Sequence, residues 1–508
     1  MLNPNGPAKN FPQPLDKVAL ALVLGLIVAI GVLLLSGEAA APRVRSFTWQ
    51  DRELSAPDRA FILTFSRPMN QKSVAENLRI DPPLPGKISW AGRRMAYTLT
   101  APVPYGVQFQ VQIQGARDTF SSSNDIRTLS EPFVGKFRSR DRVLVYLGVN
   151  PEEQGQLILY NLSANPPRQL VLTPKDLVVQ DYEPYPDGSK ILFAAVPREA
   201  TGKEVNLPKL YTVSTGIKRP DRDKGITTWE PPGKPELVLD NQEYRNLRFD
   251  LSPNGKLGIV ARQNLKNPLD FGLWTLQPGE KPQRLPTQPG GDFEIAPDGN
   301  SLALLQGQGV AILSLEKQGD TVQFLPQFEQ VLGFAPDGSA AAMVKFNRDP
   351  NNPRRSLFLV TTAGVEKELF RTRGSILAAE FDPTNRTLYC LVTKLIETED
   401  SYREEPYIAA IDINTKDIKP LVILPEQRDI QISLSPDGLA LLFDQVVTTS
   451  KPGNSAAAIG PRTASGAVVT NSRLWLIPLS PGTPVKDLPA PITPERLPFS
   501  GLRPLWLQ

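Results

Sequence analysis

The stretch "QISLSPDGLALLFDQ", residues 431–445, sets a Pro-Asp-Gly turn between two apolar runs. Proline presets φ for the second position of a type I turn, aspartate suits the third, and glycine takes a positive φ at the fourth, making a hairpin with a bulge. The cluster returns as "YEPYPDGSKILFAAV", "LRFDLSPNGKLGIVARQ", "DFEIAPDGNSLALLQ", "LGFAPDGSAAAMVKF" and "AAEFDPTNRTLYCLV". The turn prolines are Pro186, Pro253, Pro297, Pro336, Pro383 and Pro436. They lie about 50 residues apart, the repeat length of a four-stranded propeller blade. In "DPTN", Asn385 stands in glycine's place; asparagine is the next residue to tolerate left-handed backbone. One carboxylate per turn, on separate blades, cannot supply the roughly six to eight oxygens that calcium takes, so these aspartates are read as structural.

Each turn is followed by an apolar run, such as "ILFAAV" at 191–196 or "LALLF" at 439–443. Strict alternation is lost there, as expected when neighbours cover both faces of a sheet. Third strands follow in "LYTVSTG", "GLWTLQPG", "VAILSL", "SLFLVTTAG", "YIAAIDINT" and "RLWLIPLSPG", and fourth strands in "PELVLD" and "KDIKPLVIL". Three strands, "RVLVYLGV", "QLILYNL" and "RQLVLT", precede the first full repeat, and "FSGLRPLWLQ" ends the chain. The economical reading is a composite blade, the C-terminus supplying the inner strand and residues 142–173 the other three, so that chain ends close the ring and remove open sheet edges. This predicts seven blades, with six as the alternative count.

Composition narrows the chemistry. Lys+Arg number 56 against 53 Asp+Glu, a net charge of +3, too balanced for a nucleic-acid binder. There is no histidine, which excludes Ser-His-Asp and Cys-His catalysis and any His-ligated zinc. The single cysteine, Cys390, lies in the strand-like "RTLYCLVT" and is expected to be a buried, inert thiol. The 51 prolines and 36 glycines favour many turns between short strands. No G-x-S-x-G, P-loop, G-x-G-x-x-G, C-x-x-C or H-E-x-x-H motif occurs. No cofactor, metal or nucleic acid is expected.

Residues 18–36, "VALALVLGLIVAIGVLLLS", carry no charge. As a helix they extend about 28 Å, near the thickness of a hydrocarbon core. The rival reading is a signal peptide cleaved at a site formed by the small residues Ala39 and Ala41, which Pro42, directly after the cut, disfavours. An uncleaved transmembrane helix is expected, after a disordered N-terminus at 1–17 rich in Pro and Asn. Lys9 and Lys17 precede it and Arg43, Arg45 and Arg52 follow, so positive charge does not set the orientation. Residues 43–138 alternate like a small β-sandwich; in "VQFQVQIQG", Val107, Phe109, Val111 and Ile113 share one face with Gln between them.

The chain resembles two known families. Residues 43–138 are similar to the bacterial Ig-like domain of the S-layer type through Phe65-Ser66-Arg67-Pro68-Met69, the strand around Trp90 and "IQGARD". That family closes on Asp followed shortly by Gly, whereas here Thr119, Phe120 and Ser121 follow Asp118. The resemblance implies a spacer or adhesion module. Residues 140–508 resemble the TolB-type propeller through the repeated "SPDG" turn and the third strands ending near Gly or Asp. It implies protein binding, or service beside a catalytic unit, and an extracytoplasmic position. The TolB propeller has six blades, so a seventh would be a departure.

The fold class is therefore all-β: one N-terminal transmembrane helix (18–36), an Ig-like sandwich (43–138) and a β-propeller (140–508). The expected function is that of a non-catalytic, membrane-anchored binding or scaffold protein outside the cytoplasmic membrane, recognising a protein or a glycan. Its binding loops should be the connections from second to third strands, "PREATGKEVNLP", "FNRDPNNPRR", "KLIETEDSYREEP" and the Ser/Ala/Gly-rich 446–472, with an insert at 216–236 on the opposite face. Candidate partner-binding residues are Arg348, Arg354 and Arg355 in one loop and Glu399, Asp400, Glu404 and Glu405 in the next, unless their opposite charges pair across blades. The alternative is a carboxylate-dependent enzyme such as a glycosidase, using acids on inner strands, Asp181, Glu183, Asp250, Glu294 and Glu380, at a separation of about 5–10 Å. Those acids would otherwise line a polar channel.

Overall fold

A computed structural model describes residues 14–37, 41–121, 126–219, 225–316, 320–347, 349, 352–397, 402–425, 427, 429–448, 460–463 and 465–507. Most of the expected disordered N-terminus lies outside this set. Helix α1 spans Pro14–Gly37, and its side chains are described over 17–32. Among the described residues, no helix is long and apolar enough to cross a membrane. The apolar side chains of α1, from Val18 and Leu20 to Ile30 and Val32, are all exposed.

Two four-stranded sheets come next. One holds Val44–Phe47, Ala60–Phe65, Arg94–Leu99 and Gly86–Ala91; the other holds Glu53–Leu54, Phe133–Ser139, Gln108–Ile113 and Leu78–Asp81. Their inner faces share one core around Trp49, Phe61, Phe65, Met95, Phe109, Val111 and Phe137. In Gln108–Ile113 the alternate residues Phe109, Val111 and Ile113 are buried, so the period-two pattern does mark a half-buried strand. Val107 stands just before the strand and is only partly buried.

The rest of the chain forms seven further four-stranded antiparallel sheets. We number them as blades 1–7 around the ring, starting with the blade whose inner strand begins at Leu177. Their inner strands are Leu177–Pro184, Tyr244–Leu251, Phe293–Ile295, Gln330–Phe334, Ile376–Phe381, Ile432–Leu434 and, for blade 7, Gly501–Trp506. Blade 7 is composite: the C-terminal strand pairs antiparallel with Val143–Gly148, followed outward by Leu157–Asn161 and Arg168–Val171. Among the described residues the ring thus has seven blades and is closed by the two ends of the propeller segment.

Blade-to-blade packing is what makes the ring. Seven apolar clusters each join two successive blades: blade 7 to 1, 1 to 2, 2 to 3, 3 to 4, 4 to 5, 5 to 6 and 6 to 7. In Val143–Gly148, Val143, Val145 and Leu147 face blade 1, whereas Leu144 and Tyr146 face blade 6. All six residues of that strand are buried. That two-sided burial is why the sequence shows continuous apolar runs there rather than alternation.

The turns have the geometry their residues call for. Gly188, Gly255, Gly299, Gly338 and Gly438 have φ of 68°, 66°, 71°, 72° and 72°, and Asn385 has 56°. The turn acids cap their own turns: Asp187 Oδ1 accepts from the Ser189 amide at 3.0 Å, Asp298 from Asn300 and Ser301, and Asp337 from Ser339. Cys390 is fully buried between blades 4 and 5, and burial pushes its thiol well up, so the thiolate is suppressed.

Closure depends on a close approach. A side chain at Gly501 would run into the ring of Tyr146, which is stacked on Phe499 at 4.7 Å. Gly501→Ala is expected to destabilise the propeller by about 1–3 kcal/mol through overpacking at the closing strand. Chemical denaturation followed by far-ultraviolet circular dichroism measures this.

Candidate functional site

Two regions of the propeller collect polar side chains: the turn face, where the sandwich docks, and the axial channel. The sandwich reaches the ring through a short connection. Phe133–Ser139 leads through Arg140, Asp141 and Arg142 into the second strand of blade 7, and each of the three is held. The Arg140 carbonyl accepts from the Gly106 amide at 2.6 Å, Asp141 Oδ2 from Asn161 at 2.8 Å, and the Arg142 amide donates to Ser163 Oγ at 2.8 Å.

From there the sandwich lies along the Pro-Asp-Gly turns. The Tyr105 amide donates to Asp437 Oδ2 at 2.9 Å, and Arg142 Nη2 reaches the same oxygen at 3.3 Å. Asp437 Oδ1 meanwhile accepts from Ser435 Oγ at 2.6 Å and the Leu439 amide at 3.1 Å. The blade 6 turn acid thus both caps its turn and holds the sandwich, and it is only 1 % exposed. Arg59 Nη2 donates to the Pro383 carbonyl in the blade 5 turn at 2.8 Å. The insert after the third strand of blade 1 forms a two-stranded ribbon, Ile217–Lys218 with Thr228–Trp229, and its Thr227 hydroxyl and amide donate to Glu53 of the sandwich. The insert and the turns therefore share one face, as the strand order requires.

The channel is lined by the inner strands. A cavity of about 350 Å³ is bounded by Asp181, Tyr182, Glu183, Arg248, Phe249, Gln431, Arg503 and Leu505. Aligning the turns shows a register the sequence reading passed over: three residues before each turn proline stand Glu183, Asp250, Glu294, Gly333, Glu380 and Ser433. All four carboxyls of this column lie on inner strands and are half-buried. The acids named from sequence therefore do gather about the axis.

Their environment is short of positive charge. Arg503 Nη1 is taken by Asp181 at 2.9 Å and the Gln180 carbonyl at 2.7 Å, and Arg248 is paired with Asp292. Glu183 and Asp250 stand three residues before their turn prolines on the successive inner strands of blades 1 and 2. Burial, with the Asp250 charge added, raises Glu183 well above the ordinary carboxyl range. Burial, with Asp250 and Glu380 nearby, raises Glu294 to about 8; burial alone raises Glu380 to about 7. Asp444, buried but accepting the Gln431 and Arg503 amides at 2.7 and 2.8 Å, is raised to about 6. Among the described residues, no group of three or more His, Cys, Asp or Glu could hold a metal ion.

The partner-binding candidates that are described, Arg354, Arg355, Glu404 and Glu405, fall on the opposite face. Arg348, Glu399 and Asp400 lie outside the described residues. The others sit in strands rather than in loops. Arg354 and Arg355 open Arg354–Thr361 of blade 4, and Glu404 and Glu405 belong to Tyr402–Asp412 of blade 5. The ladder simply continues, Lys394 opposite Glu405, Leu395 opposite Glu404 and Ile396 opposite Arg403, so most of "KLIETEDSYREEP" forms a long hairpin. Arg355 Nη1 donates to the Gly374 carbonyl at 2.7 Å and stands 4.0 Å from Glu404, whose other oxygen takes the Thr393 hydroxyl at 2.6 Å. Arg354 donates to Asn352, and Arg403 lies 3.9 Å from Glu405. Charges of the two neighbouring blades do pair.

No protein-family model and no curated protein matches the chain. Among solved structures it is similar to TolB from Acinetobacter baumannii, at 12% identity over 85% of this chain and 82% of that one, with a TM-score of 0.37. It is also similar to an oligogalacturonate lyase in complex with manganese (12% identity, 66% and 80% covered, TM-score 0.36). A third is a putative 6-phosphogluconolactonase from Bacteroides fragilis (10%, 72% and 98%, TM-score 0.38). At these identities and scores, what those proteins do stays with them.

Asp437→Ala removes a buried carboxylate that takes four hydrogen bonds. It is expected to lower stability by about 1.5–3 kcal/mol and to speed proteolytic cleavage at the sandwich–propeller junction. Thermal unfolding and timed proteolysis measure the two effects. Arg355→Ala, at a partly exposed pair, is expected to change stability by less than about 1 kcal/mol in the same assay.

Proposed function

We propose that the protein is a non-catalytic scaffold. In this reading α1 anchors it in the cytoplasmic membrane, the sandwich is a rigid Ig-like spacer of the S-layer type, and the propeller stands outside the cytoplasm to bind a protein or glycan. The observation that carries the reading is the way the sandwich is mounted. The hydrogen-bonded connection at 140–142, Asp437 and the blade 1 insert fix it to the turn face of the ring. The face of the second-to-third-strand connections is then turned away from the spacer. There the blade 5 hairpin displays Tyr402, 79% exposed.

The uncharged run at 18–36 and the exposed apolar side chains of α1 support the anchor: a helix apolar all round needs an apolar surrounding.

Affinity capture with the full chain from native membranes is expected to recover a reproducible protein or glycan, at least tenfold less with Tyr402→Ala and unchanged with the turn-face variant Asp298→Asn. Capture that is equal for all three, or absent, rejects the binding face. Protease added to right-side-out membrane vesicles is expected to digest the propeller; protection there and digestion in inverted vesicles reject the orientation.

A further inference from the structure

We propose that the cleft between the sandwich and the blade 1 insert is a binding site for a short neutral saccharide. It lies outside the propeller and is separate from the partner-binding face proposed above. The cleft measures about 420 Å³. Small-molecule sites span roughly 300–1,000 Å³. Its floor is the outer face of the sheet that holds Leu78–Asp81, Gln108–Ile113 and Phe133–Ser139. Phe109, Val111 and Phe137 turn from that sheet into the core, so their neighbours along the strands turn outward. Two polar rungs result. Asp81, Gln110 and Lys136 stand opposite one another on three strands, and Gln108 stands opposite Arg138.

The insert supplies the wall. Ile226, 50% exposed, lines the cleft and is held through both its neighbours. Gly225 bridges to Arg52 in parallel, and the Thr227 amide and hydroxyl donate to Glu53. Asp51 also lines the cleft. Its backbone is left-handed, with φ 54°, and its amide donates to the Lys136 carbonyl at 2.8 Å. Floor and wall are thus fixed before any ligand arrives, which lowers the entropy lost on binding.

The side chains select the chemistry. Arg138 is paired with Glu53 and Asp141, and Arg52 stands 3.7 Å from Asp58. Among the described residues, no hydrogen bond or ion pair engages the side chains of Asp51, Asp81, Gln108, Gln110 or Lys136. Two carboxylates accept, one ammonium donates, and two amides do both. An anion would meet both carboxylates; a cation would meet Lys136 and two arginines. A neutral molecule rich in hydroxyls, each donor and acceptor, matches the mixture. Pro82 and Ile226 offer apolar surface to the C–H face of a sugar ring.

The test is saturation-transfer NMR on the full chain, in a detergent without a sugar headgroup. The probes are maltose, cellobiose and N,N′-diacetylchitobiose at millimolar concentration, with citrate and spermidine as charged controls. At least one disaccharide is expected to give stronger transfer than either control. Gln110→Ala and Lys136→Ala should each weaken that signal about fivefold, the loss of one hydrogen bond, with the melting temperature unchanged. Gln108→Ala, on the adjoining rung, replaces either variant if it melts early. Tyr402→Ala should leave the signal intact, so failure here is distinguishable from failure of the propeller face. Co-sedimentation with starch, cellulose or chitin then separates a polymer-borne sugar from a free one, and either result upholds the saccharide chemistry. No transfer from any of the three disaccharides, stronger transfer from a charged control, or a signal that survives the substitutions in folded protein overturns the proposal.

Discussion

The whole ring depends on one antiparallel pair, Gly501–Trp506 against Val143–Gly148. Every other blade is contiguous in sequence and could form its sheet alone, but none could bury both faces alone. Each blade hides its apolar residues only between two neighbours, so an open arc would leave two greasy faces and two unpaired edges. The last strand removes both at once. It also brings Arg503 to the axis, where its amide meets Asp444 and its side chain meets Asp181. Closure and the electrostatics of the channel are thus set by the same few residues.

The channel inverts the usual logic of a polar interior. Buried carboxylates are ordinarily matched by cations or by amide donors. Asp444 follows that rule, with two backbone amides. Glu294 and Glu380 do not, and their raised affinity for protons reflects it. The arginines of the channel are paired with other acids, Arg248 with Asp292 and Arg503 with Asp181. A half-solvated lining of this kind is tolerable because water enters the channel, but it makes the inner strands more sensitive to pH than the blade interfaces are.

Much of the architecture was legible in the sequence because its signals are local and repeated. The Pro-Asp-Gly turns require one backbone shape, and six copies fix the blade spacing; the left-handed Asn385 is the same rule applied to a substitute residue. The composite blade was legible because "FSGLRPLWLQ" is a strand with no local partner and the three strands opening at "RVLVYLGV" lack an inner one. What was not legible was long-range. Nothing local distinguishes Asp437 from the other turn acids, yet it alone of those compared is recruited by Tyr105 of the sandwich and Arg142 of the connection. The candidate loop residues were misplaced for a related reason. The polar run around Glu404 reads as a loop, but cross-strand pairing carries the ladder of blade 5 through it. The column of Glu183, Asp250, Glu294 and Glu380 was present in the aligned turns and needed only counting back from the proline.

The three-residue connection at 140–142 has a mechanical corollary. The last strand of the sandwich, Phe133–Ser139, continues almost directly into Val143–Gly148, the partner of the closing strand. A pull on the sandwich therefore enters the ring through a strand of the ladder that keeps it shut, and the side contacts at Asp437, Arg59 and Thr227 share that load. Tension travelling through the stalk would be borne by the clasp of the wheel.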